Sequence, residues 1–152
     1  MKMFWLAALV LIANFAMGLT TTDIDEILQK GSVSVEEGVW FVSAIKNPEI
    51  ELKNVFTNPK MQQFSAAAKD SLSYGKLAKI IIEEFNLPSA FLYKVTGLDR
   101  YAFLSLVDVK LLPDKYSEYK MVNGMELIAV VHRIKALLYP IADDDEEEEG
   151  GK

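Results

Sequence analysis

Three places in this chain carry the same local signal, and together they restrict it to a helical fold. Ser34 is followed three residues later by Glu37, and Asn123 by Glu126. In such capping boxes the first side chain accepts from a backbone N–H of the first turn and the Glu reaches back to the cap's own N–H. Ser73 is a third cap residue, followed by Tyr74, Gly75 and Lys76. Behind each start runs an apolar segment: Val39, Trp40, Phe41, Val42 and Ile45; then Leu77, Ala78, Ile81 and Phe85; then Leu127, Val130, Val131, Ile134, Leu137 and Leu138. Pro48, Pro88 and Pro140 close these segments, since proline cannot continue a helix and pushes the preceding residue out of helical geometry. The β-branched runs at 80–82 and 128–131 would also suit strands. Caps at one end, prolines at the other and lengths of about 10–15 residues predict helices instead, and no alternating segment with a hairpin turn is present.

The remaining segments read the same way. Thr22 with Asp25 predicts a short helix stopping at Gly31. Asn58 and Pro59 give a cap and a first helical residue, followed by Met61, Phe64, Ala67 and Ala68 at helical spacing. Ser89 is expected to cap a short segment ending at Gly97. Asp99 is expected to cap one carrying Tyr101, Phe103, Leu104 and Val107 and ending at Leu111, Leu112 and Pro113, before a polar loop over 113–122. The three main starts lie 39 and 50 residues apart. With a helix and a loop ahead of the second and third, they suggest a degenerate helix–loop–helix repeat; the alternative is that unrelated amphipathic helices share a cap pattern. The expected fold is all-α, one compact domain of about six to seven helices over residues 19–142.

The ends differ from this body. Lys2 followed by the apolar run Met3–Ala16, with Ala16 and Gly18 as small residues, predicts a signal peptide over 1–18 and export to the periplasm or beyond. That run is shorter than the ~20 residues of a spanning helix, so the mature chain is expected to have no transmembrane segment. Asp143–Glu149 is an unbroken run of acids within an expected disordered tail, 143–152. The net charge of −6 resides in that tail, and residues 19–142 are within one charge of neutral. A body without basic excess argues against nucleic acid or an anionic membrane as a partner. The tail is read as solubilising, with docking to a basic partner as the alternative.

Chemistry is sparse. The chain has no Cys and a single His, His132, which excludes disulfides, thiolate metal sites and a Cys nucleophile. No phosphate-cradling glycine loop, nucleophile elbow or paired-His motif occurs. Adjacent acids such as Glu36 and Glu37, or Glu83 and Glu84, diverge on a helix surface. No catalytic residue, cofactor site or metal site is expected, although distant groups such as His132, Arg100 and Arg133 could meet in the fold. Trp40, Tyr93, Tyr116 and Tyr119 are candidates for a partner surface, because polar-tipped aromatics bury area at little entropic cost; the alternative is that they cover core and loop edges.

Residues 100–137, with Tyr101 and Ala102 opening a helix and Asn123 to Ile134 forming a second, resemble the S-layer homology repeat of exported bacterial proteins. Residues 58–86 resemble it less closely, and 22–45 would form a truncated unit. Glu37 and Glu126 match the Glu of that family's second-helix opening; Val35, Tyr74 and Gly124 stand near where it has Arg. The resemblance implies a helical scaffold and cell-wall glycan binding, with Glu37 and Glu126 as remnants of the glycan site. The expected function is that of a non-enzymatic interaction or structural protein of the bacterial cell envelope with a protein partner. A glycan-binding module is the alternative, and an enzyme assembled from distant residues the third reading. Intact-mass measurement on protein from its native compartment should show loss of residues 1–18; their retention would refute cleavage.

Overall fold

The computed structural model describes residues 18–88 and 91–140. The expected signal peptide apart from Gly18, the tail 143–152 and the expected cap Ser89 lie outside these residues. The described chain is all-α. Its helices are α1 (Thr21–Leu28), α2 (Val35–Ser43), α3 (Pro59–Gln62), α4 (Tyr74–Phe85), α5 (Phe91–Thr96), α6 (Asp99–Asp108) and α7 (Gly124–Leu138), with 3-10 segments at Leu52–Thr57 and Ser65–Ala67. Extended pairing among the described residues is confined to isolated bridges, Ser34 with Ser71 and Ser73 with Met121. No helix of the described residues is long and apolar enough to cross a membrane.

The predicted caps form as read. Ser34, Ser73 and Asn123 each accept from the N–H three residues on, and Glu37 and Glu126 complete their boxes. What the caps organise is a closed ring. The residue just before each cap is buried: Val33, Leu72 and Val122 are at most 1% exposed. Their main chains hydrogen-bond in a cycle. Leu72 N–H donates to Val33 C=O at 2.8 Å, Val122 N–H to Leu72 C=O at 2.8 Å, and Val33 N–H to Val122 C=O at 3.1 Å. Buried peptide groups require partners, and here three equivalent positions satisfy one another.

A second cycle surrounds the first. The leading N–H groups of a helix have no partner within it. Val35 N–H donates to Asp70 C=O, Tyr74 N–H to Lys120 C=O and Gly124 N–H to Lys30 C=O, each at 2.9 Å. Each long helix therefore starts on the loop of the next unit, and the third starts on the loop of the first. Packing follows this order: α6 lies on α4, the Leu52–Thr57 and Ser65–Ala67 segments lie on α2, and α1 lies on α7. The chain is a quasi-threefold ring of helix–loop–helix units, which agrees with the repeat read from the three starts. Helix α4 is wedged between α2 and α6, which is why consecutive Ile80, Ile81 and Ile82 are all buried.

Several local expectations shift. Helix α1 is capped by Thr20 with Asp23, not by Thr22 with Asp25, and it ends at Leu28, which frees Lys30 C=O to receive Gly124. Asp99 is the first residue of α6, not its cap: Leu98 holds the cap position without a side-chain bond, and the Asp99 carboxylate pairs with Lys79 at 3.1 Å. Helix α6 stops at Asp108 because Lys110, at φ 60°, reverses the chain, and the Leu111 and Leu112 N–H groups both return to Leu106 C=O. The start at Asn58 and Pro59 yields only a four-residue helix, α3, before the chain turns. The 3-10 helix Leu52–Thr57 carries no cap signal; it is tied to α2 by the Trp40 indole N–H, which donates to Ile50 C=O at 2.8 Å.

Close approach at the ring leaves no room for a side chain at Gly124, where a Cβ would stand 1.6 Å from Ile27 C=O. At Gly31 a Cβ would meet nothing within 4 Å. Gly124→Ala should therefore cost about 2–3 kcal/mol as an overpacking substitution, lowering the thermal midpoint by roughly 5–10 °C for a domain of this size. Gly31→Ala is the control and should leave the midpoint within about 2 °C. Differential scanning calorimetry of both variants checks this.

Candidate functional site

The loops that close the ring leave a groove over the first unit. Its floor is apolar, formed by Ile27 of α1, Trp40 of α2 and Leu52 of the 3-10 helix. Asp23, Glu26, Glu37, Glu51 and Lys53 line its rim, and its volume is about 780 Å³. The floor forms where the 3-10 helix Leu52–Thr57 packs along α2. A second depression of about 570 Å³ continues across the junction with the second unit, sharing Glu37 and Leu52 and adding Lys30, Glu36 and Lys69. Pairing neutralises part of this charge. Lys30 bridges Glu37 and Glu26, the latter at 3.4 Å, Lys69 reaches Glu36, and Lys53 meets Glu51 at 2.8 Å.

Each unit repeats one ionic motif beside its helix start. The third residue of the helix pairs with a residue shortly before the ring position: Glu37 with Lys30, Glu126 with Lys120, and Lys76 with Asp70 at 3.6 Å. In the second unit the charges are exchanged. Burial alone would push Glu37 up, but the Lys30 ammonium and the Ser34 N–H overcome it and hold its carboxyl below the ordinary 4.5. Glu126 is governed likewise: burial raises it, while Lys120, the Asn123 N–H and Tyr116 lower it further. The hydrogen bond to Glu37 raises Lys30 despite its own desolvation. The two glutamates read as glycan-site remnants are thus helix caps with committed oxygens, although Glu37 also lines both grooves.

The aromatic candidates do not form an exposed cluster. Tyr93 is 5% exposed, in α5 and not in a loop, and its hydroxyl donates to Glu83 Oε1 at 2.9 Å. Burial, reinforced by Glu83, pushes its phenol well up. Tyr116 is half-buried against Tyr74, with ring centroids 5.2 Å apart, and lies beneath Lys120, 4.2 Å from its centroid. Trp40 is buried edge-to-face with Phe41 and presents only its margin to the groove. Tyr119 alone of the four is exposed, at 78%. The placement of Tyr116 follows from packing of the 113–122 loop onto α4, and that of Tyr93 from its bond to Glu83 of α4, neither of which sequence proximity to loops reveals. His132 and Arg133 are exposed on α7 and Arg100 is exposed on α6; they line neither groove. Among the described residues no group of three or more His, Asp or Glu side chains is placed to hold a metal.

The groove residues that the sequence did not single out are Asp23, Glu26, Glu51, Leu52 and Lys53. The short interval between Pro48 and Pro59 was the available signal, being too short for another long helix. Comparison with protein-family models, curated proteins and solved structures finds no match to the chain.

The pH dependence of stability follows from the caps. A carboxyl whose folded pKa is depressed contributes stability above its unfolded pKa and loses it as pH falls through the folded value. Glu37 and Glu126 therefore stabilise the fold fully near neutrality and progressively less below about pH 4.5. Gln retains the capping bond without titrating. The double variant Glu37→Gln, Glu126→Gln should have a lower thermal midpoint at pH 7 and a shallower decline between pH 5 and 3, measured by thermal melts across that range; an unchanged acid limb would refute the assignment.

Proposed function

We propose that this chain is a non-enzymatic binding protein of the bacterial cell envelope, exported, with the helical ring as scaffold and the first-unit groove as the place where a partner binds. The observation that carries this reading is the groove itself: an apolar floor of Ile27, Trp40 and Leu52 inside a rim of four carboxylates and one lysine. Binding sites are typically concave and mostly apolar, with a few polar groups that fix orientation. Apolar and basic side chains of a protein segment match this chemistry. The one hydroxyl held by a carboxylate at the groove, Thr20 on Asp23 at 2.6 Å, is committed to the capping box of α1.

A second reading is that the groove takes a cell-wall glycan. It rests on the resemblance to S-layer homology units and on the Trp40 margin lying among carboxylates and Lys53, an apolar surface beside hydrogen-bonding groups suited to a sugar ring. One experiment separates the two. A photo-crosslinker replacing the exposed Lys53 should capture a discrete envelope protein in cells, and Glu26→Lys with Glu51→Lys should cut that capture by roughly tenfold, reversing two rim charges at the contact. Co-sedimentation of the full chain with protein-free cell wall, lost in the same double variant, selects the glycan. Failure of both, no capture and no co-sedimentation, would overturn the groove as a binding site.

A further inference from the structure

The chain is held at the groove as far as its first described residue. Gly18 lines the groove together with Thr20. It is pressed so closely on the turn at Pro48 and Glu49 that a Cβ there would stand 2.0 Å from Pro48 C=O. Leu19 packs against the core. Thr20 donates to the Asp23 carboxylate through both its N–H, at 2.7 Å, and its hydroxyl, at 2.6 Å, and Asp23 is itself a rim residue. With three consecutive residues fixed in this way, whatever precedes Gly18 begins at the edge of the groove.

What precedes it has the composition that the groove matches. Met3–Ala16 is apolar except for Asn14, and Lys2 is the only charged residue ahead of Asp23. The groove offers an apolar floor of Ile27, Trp40 and Leu52. Its four carboxylates face two lysines, Lys53 on the rim and Lys30 bridging Glu26 and Glu37, so the uncompensated charge is negative and complements a cation. Phe15 and Ile12 lie three and six residues before Gly18, within ~10 and ~20 Å of it even in a fully extended chain. That reach is comparable with the dimensions of a cleft of about 780 Å³. Tethering strengthens the contact, because a short link gives an effective concentration of about 1 mM, at which a pair with a Kd of about 0.1 mM as separate molecules is closed roughly 90% of the time. A competing partner then meets a groove about tenfold less available. We propose that in the unprocessed chain the segment Met3–Ala16 occupies this groove, so that loss of residues 1–18 is what opens it. The inference rests on the binding reading above for what the opened groove then receives; the occupancy is a property of the full chain.

The test is photo-crosslinking of the purified full chain, with the crosslinker replacing Lys53, whose side chain is 76% exposed. Irradiation should join position 53 to a peptide within residues 3–16 of the same molecule. Mass spectrometry of mixed isotope-labelled and unlabelled copies shows whether the link is intrachain, and its yield should not fall on dilution. Ile12→Asp with Phe15→Asp should cut that yield by roughly tenfold, and an unaltered thermal midpoint would show the body folded. Crosslinkers at Met125 and Val95, both 68% exposed on other faces, should not reach the segment. No link to residues 3–16, links between copies only, or a yield that survives the double variant would each overturn the proposal. So would equal capture from Met125, which marks indiscriminate apolar contact, or capture from Val95 in place of position 53, which puts the segment on α5. If none of these links forms while the processed chain still captures an envelope protein in cells, the occupancy fails and the binding reading stands. An intrachain link with no capture by the processed chain fails the binding reading instead.

Discussion

Three main-chain hydrogen bonds at the centre of the molecule, among Val33, Leu72 and Val122, hold the rest in place. They are formed by residues that share no sequence proximity and bury their side chains almost completely. A peptide group left unpaired there would cost on the order of 1–3 kcal/mol, so loss of any one unit exposes polar groups in the other two. The direction of the long helices, the position of their caps and the handing of each first N–H to the next loop all follow from this ring. Helix propensity and capping decide that these segments are helical; the ring decides where they meet.

The quasi-symmetry holds in the backbone at the ring and loosens in the side chains. The second residue of each long helix is Glu36, Gly75 or Met125, and the position preceding each ring residue is Ser32, Ser71 or Met121. The first junction is consequently charged and grooved, the second is filled by the approach of Gly75 to Glu118, and the third presents methionine. The exchange of charge between Asp70 and Lys76 keeps the ionic contact of the other units with its polarity reversed, at the expense of placing a cation near a helix N-terminus. Three similar backbone frames thus carry three different surfaces, and the first combines an apolar floor with a charged rim.

The local layer of this structure was legible in the sequence. Ser34, Ser73 and Asn123 cap where their patterns placed them, and the closing prolines mark the ends, because these signals act over three or four residues. The ring was legible only as a recurrence of starts, since its hydrogen bonds link backbone atoms and leave no side-chain signature. The same limit explains the shifts elsewhere. Thr20 competes with Thr22 as a cap, and it is Thr20 that forms the reciprocal box with Asp23. Tyr93 sits beside a turn in sequence yet is buried, because Glu83 and Lys79 come from a different helix. The groove depended on a 3-10 helix with no cap signal and on Lys30 and Glu37 meeting across a loop, so its rim residues went unmarked while Glu37 was singled out for another role.

The packing of α1 against α7 joins the two ends of the described chain. A polypeptide that emerges from its N-terminus first can form the caps at Ser34 and Ser73 early, but Val33 N–H and Lys30 C=O have no partners until Val122 and Gly124 arrive. Closing a loop of that length carries an entropic cost that local helix formation does not offset, and contacts so distant in sequence slow folding. The topology therefore makes closure of the hub wait for α7, the last of the described helices, whatever the caps at Ser34 and Ser73 have formed before it.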